Sequence, residues 1–234
     1  MLLLHGFGVS FNIWRNLLPL LCPYFSVVMV ELPGIGESPL AAKDQSYLTA
    51  SVESIERLRS RLGIESWNVL GYSTGSRIAE SYARAYPSRL RNLIFLCPLL
   101  MSRFLNISLR ISLWLDKFLP AYGDFILTGW RFKMLISLVG FNLKPNNLED
   151  EWFEEMSGNP RNVLKDTLRM IAPLGTRPFD VPVPASFIWG DDDIVPVRPR
   201  RPGSRDFFVH GNHAAPMLAA DEVAAVIIRL LIKS

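Results

Sequence analysis

The sequence of 234 residues predicts an α/β protein whose core is a doubly wound, mostly parallel sheet. Three observations predict this class: short apolar runs recur along the chain, helix-like segments separate them, and the alternation stops between residues 101 and 182. Apolar runs of this length are typical of strands that are buried on both faces of a parallel sheet. The predicted strands cover 2–4, 27–32, 67–70, 93–96, 186–189 and 207–209.

Segments with helical periodicity lie between these runs. In 51–62 the apolar side chains recur with the spacing of one helix face, and in 76–86 a similar pattern stops at Pro87, which cannot continue a helix. The last predicted helix covers 221–232. Because helices alternate with strands, we expect crossover connections that cover both faces of the sheet.

Residues 101–182 form a different kind of segment, since Trp, Phe, Leu and Met are frequent there and no clean strand pattern is found. We predict a helical cap insertion over 101–182, which leaves 1–100 and 183–234 as the core domain. Amphipathic stretches such as 105–119 are compatible with three roles: covering a pocket, binding a membrane surface, or packing as ordinary core.

Composition narrows the class of protein. The apolar content of 49% allows a large core, and a net charge of only +3 does not favour nucleic acid as a partner. Cys22 and Cys97 cannot make a disulfide framework, although one bridge is possible, so we expect a cytoplasmic, soluble protein. We expect neither a secretory signal nor a transmembrane segment, because the longest apolar run, 93–101, is too short to span a bilayer.

The predicted strand 67–70 runs into the motif Gly71-Tyr72-Ser73-Thr74-Gly75 and then into a helix. This G-x-S-x-G pattern, in a strand-turn-helix setting, predicts a nucleophilic serine on a sharp turn, with glycines where strand and helix approach closely. The alternative is a glycine-rich turn with an inert Ser73. Neither G-x-G-x-x-G nor a P-loop pattern occurs, so no nucleotide cofactor is expected.

The first predicted strand opens into the glycine turn His5-Gly6-Phe7-Gly8, Trp14 follows, and a second turn reads Glu31-Leu32-Pro33-Gly34-Ile35-Gly36-Glu37-Ser38. With the serine motif, these residues make the sequence resemble the α/β-hydrolase superfamily, particularly its cap-bearing, cofactor-free serine esterase and C–C hydrolase branch. The resemblance implies that the backbone N–H groups of Phe7 and Thr74 form an oxyanion hole and that His5 is a structural hydrogen-bonding residue. Glu31 and Ser76 depart from the usual Asp and Gly of the family.

A serine nucleophile needs a neighbouring base, and the chain contains only three histidines, His5, His210 and His213. The resemblance implies His213, which lies past the last predicted strand; His210 is the alternative. An acid that orients the imidazole is expected in the loop 191–193, which consists of three aspartates.

Two alignments of this loop conflict. Counting forward from Gly190 selects Asp193, whereas counting back from Pro196 selects Asp192. We favour Asp193, because the strand end positions the acid more directly than the following segment does. Three adjacent acids also suit a hard cation, but one loop without further ligands is a weak metal signal, so no metal is expected.

The resemblance implies that Ser73, His213 and Asp193 cleave a small hydrophobic carboxylic ester through an acyl-enzyme. Ser73 at the nucleophile position argues against the epoxide hydrolases and haloalkane dehalogenases of this superfamily, which use Asp there. Two alternatives stay open: C–C bond hydrolysis of a diketone by the same residues, and a ligand-binding receptor or scaffold on this fold.

Met1 stands at the beginning of what resembles the third strand of the family's sheet. In the family's strand order, 1-2-4-3-5-6-7-8, this leaves the predicted strand 27–32 at an open edge. Long apolar edges are prone to pairing with other chains. We therefore expect either a truncated gene model or a partner that covers this edge, with oligomerisation through it as one form of that cover.

Overall fold

The computed structural model describes residues 1–119, 121–144 and 147–232, and six strands of this part of the chain form one sheet. All five strand pairs are parallel, and the order is β2-β1-β3-β4-β5-β6. The predicted doubly wound α/β fold is confirmed, and β2 lies at one edge of the sheet, as expected. The strands are Leu2–Leu4 (β1), Val28–Val30 (β2), Trp67–Tyr72 (β3), Leu90–Leu96 (β4), Ala185–Gly190 (β5) and Asp206–Val209 (β6).

The described residues contain ten α-helices, and short 3₁₀ turns at Phe11–Trp14 and Pro87–Arg89. One helix begins earlier than its apolar pattern predicted, because the Oγ of Ser46 accepts a hydrogen bond from the N–H of Thr49 and caps it. The helices are Leu18–Leu21 (α1), Tyr47–Arg61 (α2), Thr74–Ala85 (α3), Arg103–Phe118 (α4), Ala121–Ile126 (α5), Gly129–Phe141 (α6), Leu148–Gly158 (α7), Arg161–Ile171 (α8), Ala215–Leu218 (α9) and Ala220–Ile232 (α10).

Apolar side chains cover both faces of the sheet. Successive residues of a strand point to opposite faces, so Leu3 packs into the layer with α1, α9 and α10, whereas Leu2 and Leu4 pack into the layer with α2 and α3. All three side chains are fully buried. This two-sided burial explains why β1 reads as an uninterrupted apolar run rather than an alternating one.

The segment predicted to be an insertion contains α4–α8, which lie between β4 and β5 in the chain. Hydrogen bonds join its helices both to one another and to the core. Asn106 donates a hydrogen bond of 2.9 Å to the carbonyl of Ala172 within the segment, and Asn159 donates one of 2.7 Å to the carbonyl of Gly8 in the core. The segment is therefore attached to the loop that follows β1.

The cysteines and the helix lengths bear on the expected disulfide and on the expected absence of a membrane span. Cys22 is exposed and Cys97 is buried, and both thiols are free, so the one possible bridge is not formed. Among the helices of the described residues, none combines the length and the apolarity needed to cross a bilayer.

Candidate active site

Ser73 lies at the tight turn where β3 ends and α3 begins. Its backbone has φ 51° and ψ −118°, a conformation that is strained for a residue with a side chain. The two glycines of the motif allow this turn, because a Cβ on Gly71 would lie 2.6 Å from the carbonyl oxygen of Gly75, and a Cβ on Gly75 would lie 2.4 Å from that of His5. The sequence pattern thus follows from the close approach of β1, β3 and α3.

His213 lies next to Ser73, although 140 positions separate them in the chain. The Nε2 of His213 is 2.8 Å from the Oγ of Ser73, and its Nδ1 is 2.8 Å from the Oδ2 of Asp193. Oδ1 of Asp193 accepts a hydrogen bond of 2.9 Å from the N–H of Val195, which fixes the carboxylate. All three side chains are buried. An imidazole that donates from Nδ1 to a carboxylate can accept the serine proton at Nε2.

The neighbouring aspartates have other partners. Asp192 is on the surface and its carboxylate pairs with the Nζ of Lys144, which holds its pKa below the usual range. Asp191 accepts a hydrogen bond of 3.0 Å from the N–H of Gly211. The loops of Asp193 and His213 meet closely at Gly190, where a Cβ would lie 2.5 Å from the carbonyl oxygen of Gly211.

His210, the alternative base, is not brought to Ser73. Its exposed imidazole lies 3.1 Å from a carboxylate oxygen of Glu222, and this hydrogen bond raises the pKa of His210. It is therefore a surface residue at the end of β6.

Two further residues contact the cluster that Ser73, Asp193 and His213 form. The sequence did not predict either of them for this site. The hydroxyl of Tyr72 donates a hydrogen bond of 2.7 Å to the carbonyl of His213, and burial raises the pKa of Tyr72 well above 10, so the hydroxyl keeps its proton. Cys97, at the end of β4 with φ 43°, is buried beside Asp193, and both burial and that carboxylate raise the pKa of its thiol.

Cys97, Asp193 and His213 also place one possible metal-ligand atom each within 4.8 Å of one another. Both ring nitrogens of His213 already have partners, Asp193 at Nδ1 and Ser73 at Nε2, so neither is free for a metal.

The predicted oxyanion donors, Phe7 and Thr74, both line the cavity at Ser73. Neither backbone N–H donates to another group of the described residues. Thr74 is the first residue of α3, so its amide is one of the unpaired donors at a helix N-terminus. Gly6 leaves room for this arrangement, because a Cβ there would lie 3.2 Å from that of Ser73.

His5 has the structural contacts that the resemblance implied. Its Nδ1 is 2.9 Å from the carbonyl oxygen of Gly6, and its Nε2 is 2.9 Å from the N–H of Leu32. A carbonyl can only accept and an amide can only donate, so the ring is neutral with its proton on Nδ1. Complete burial lowers the pKa of His5 to about 4, in agreement with a neutral ring that joins the loops after β1 and β2.

A cavity of about 330 Å³ lies above Ser73 and His213. Its wall is mostly apolar and comes from all five helices α4–α8 as well as from the core. A small polar group is found in the wall as well: Asp116, whose carboxylate pairs with the Nζ of Lys165 at 2.9 Å. The volume is at the lower end of the range for small-molecule sites. Among the apolar lining residues are Val9, Leu109, Leu113, Leu127, Ile136 and Met156.

A family model described as the alpha/beta hydrolase fold matches residues 1–124, which is more than half of the chain. The chain therefore belongs to the α/β hydrolase family. The family and the fold class predicted from the sequence are both confirmed, and the chain is assigned to the hydrolases.

Two relatives are similar to this chain over very different lengths. The pimeloyl-[acyl-carrier protein] methyl ester esterase of Aeromonas hydrophila is 27% identical over 236 residues, which cover 94% of this chain and 89% of that protein. The abhydrolase domain-containing protein abhd-5.2 of Caenorhabditis elegans is 36% identical over 99 residues, which cover 41% of this chain but only 22% of that protein.

A solved structure has the same fold over the full length. The hydrolase olei00960 from Oleispira antarctica superposes with a TM-score of 0.76 at 20% identity, covering 100% of this chain and 90% of that one. The fold is therefore common to the whole chain, including α4–α8.

Proposed function

We propose that this protein hydrolyses a small hydrophobic carboxylic ester, with Ser73 as nucleophile, His213 as general base and Asp193 as the acid that orients the imidazole. The observation that carries the proposal is the continuous hydrogen-bonded series from Ser73 Oγ through His213 to Asp193, with both bonds at 2.8 Å, at the base of an apolar cavity. The relative named as a methyl ester esterase, similar over nearly the whole chain, supports an ester as the substrate.

Each group has a defined step. Ser73 Oγ attacks the ester carbonyl carbon while its proton moves to Nε2 of His213, and the amides of Phe7 and Thr74 stabilise the oxyanion. The C–O bond to the alcohol breaks, and the alkoxide takes the proton from Nε2. Water then attacks the acyl-enzyme by the same route, and the carboxylic acid leaves.

We assign the acyl group to the apolar cavity formed with α4–α8, which we treat as the cap. This assignment favours an uncharged chain of moderate length, because the wall offers few groups that would solvate a charge. A panel of p-nitrophenyl esters of increasing acyl length tests it. We expect kcat/KM to rise with length until the cavity is full and then to fall.

The decisive experiment compares Ser73→Ala with Ser60→Ala, which removes an exposed serine of α2 far from the cavity. We expect the first to lower kcat by about 10⁶ and the second to leave it unchanged. A fluorophosphonate probe must label the wild type and Ser60→Ala but not Ser73→Ala. A receptor or scaffold would show no turnover and no labelling. Faster turnover of a vinylogous diketone than of every ester would instead assign the site to C–C hydrolysis.

A further inference from the structure

Helix α4 exposes a large apolar surface to solvent. Phe104 is 77% exposed, Trp114 is 59% exposed, and the rings of Trp114 and Phe118 lie 4.9 Å apart. Contiguous exposed apolar surface is uncommon on water-soluble monomers and marks a binding site for a protein or a membrane. The residues of α4 that form this surface are Phe104, Ile107, Ile111, Trp114 and Phe118.

Helix α6 adds a second exposed row. Trp130, Met134 and Leu138 are spaced by one helical turn, and all three are exposed. Arg131 connects this row to α5, because its guanidinium lies 3.7 Å above the ring of Phe125, which is also exposed. The exposed apolar residues of α4 and α6 named here form what we call the apolar face.

The cavity is lined by other rows of the same helices, such as Leu109 and Leu113 of α4, which face away from the apolar rows. Leu105 of α4 and Leu135 of α6 line the cavity, yet they are 36% and 37% exposed, so they mark the rim where the cavity meets solvent. Phe104 and Met134, their neighbours in the chain, belong to the apolar face. The apolar face therefore lies on the outer side of α4 and α6 and borders the rim of the cavity.

Positive charge follows the apolar face along α4. Arg103, Arg110 and Lys117 recur every seventh residue, about two helical turns, and so form one row beside the apolar rows. None of the three is in a salt bridge with another described residue. The acidic residues of this part of the fold are concentrated on α7 instead, which carries five carboxylates and no lysine or arginine.

We infer that the apolar face docks on the surface of a membrane that contains anionic lipid. Trp and Phe side chains fit the boundary between headgroups and acyl chains, and Arg and Lys beside them reach lipid phosphates. A second copy of the chain fits less well, because two cationic rows would then face each other. Docking of this face is measured without any turnover.

The test is co-sedimentation of the protein with two kinds of vesicle, pure phosphatidylcholine and phosphatidylcholine with about 30% phosphatidylglycerol. We expect the wild type to bind the second at least about 100-fold more tightly. The triple variant Arg103→Gln, Arg110→Gln, Lys117→Gln should lose on the order of 100-fold in affinity for the anionic vesicles and little for the neutral ones. The double variant Trp114→Ser, Phe118→Ser should lose about tenfold on both.

Control variants remove exposed cationic and aromatic residues elsewhere on the protein. Arg57→Gln with Arg61→Gln on α2, and Tyr24→Ser in an exposed turn, should bind like the wild type. Circular dichroism melting verifies that each variant is folded, which its exposed positions favour. No binding of the wild type, or binding unchanged in the apolar and cationic variants, overturns the inference. So does a dimer in analytical ultracentrifugation that Trp114→Ser, Phe118→Ser dissociates while vesicles stay unbound.

Discussion

The carboxylate of Asp193 lies 2.8 Å from Nδ1 of His213, while the adjacent Asp192 faces Lys144 at the surface. Asp193→Asn should therefore lower kcat by about 10⁴, because an amide that donates to Nδ1 stabilises the wrong tautomer of the imidazole. Asp192→Asn should leave kcat within about twofold, since it loses only an exposed ion pair. Steady-state kinetics on one p-nitrophenyl ester measures both variants. If Asp192→Asn were the more damaging, the acid would be misassigned.

The amide of Asn159 supports the loop that contains Phe7. Removing its 2.7 Å hydrogen bond to Gly8 with Asn159→Ala leaves a buried carbonyl without a partner and frees the loop, so we expect kcat to fall about tenfold with a smaller change in KM. Asn106→Ala is the matched control, because it removes a similar amide-to-carbonyl bond, to Ala172, away from Ser73. Equal losses of kcat in both variants would mean that the effect is only structural.

Burial of neutral His5 makes folding depend on pH. Its folded pKa of about 4 is below the ordinary 6.5, so the unfolded chain binds the proton more tightly. The contribution to the free energy of unfolding is complete above pH 6.5 and is lost as the pH falls towards 4, by about 3 kcal/mol. Urea denaturation of the wild type and of His5→Gln between these pH values measures it.

The variant His210→Gln controls for histidine titration in general. The pKa of exposed His210 is raised, so its contribution is present below pH 6.5 and is lost as the pH rises, the opposite direction. A His5→Gln protein with the same pH slope as the wild type would show that another group causes the acid sensitivity.

The turn at Ser73 depends on glycine for space. In Gly75→Ala the new Cβ meets the backbone oxygens of His5 and Leu4 at 2.4 and 2.6 Å, so β1 and α3 must separate. We expect a loss of more than about 3 kcal/mol in the free energy of unfolding. Gly158→Ala, where no atom lies within 4 Å of the new Cβ, should be neutral or stabilising by about 0.5 kcal/mol. Thermal and urea unfolding compare the two.

Much of the sheet could be predicted because its strands are short apolar runs between turn motifs. The bounds of β1 are those predicted, and Ser73 and His213 are recognisable from local patterns. Helix ends that depend on capping side chains were harder to predict. Helix α2 begins at Tyr47 because Ser46 caps it, and apolar periodicity does not reveal a cap.

Contacts between distant parts of the chain could not be predicted from spacing. Tyr72 and His213 are 141 positions apart, and Asn159 and Gly8 are 151 apart, so neither pair leaves a local signal. The ambiguity between Asp192 and Asp193 has the same cause. Lys144, which lies between α6 and α7, pairs with Asp192, and no count within the loop 191–193 includes that partner.

The hydrogen bond from Asn159 to Gly8 also bears on how such proteins can be recombined. A chimera that exchanged α4–α8 for the corresponding helices of another family member would bring a new substrate wall, but it would also remove the donor that holds Gly8. Such a graft would transfer selectivity only if it supplied an equivalent amide. If Asn159→Ala lowers kcat as predicted, selectivity and rate are inherited together in this chain through that contact.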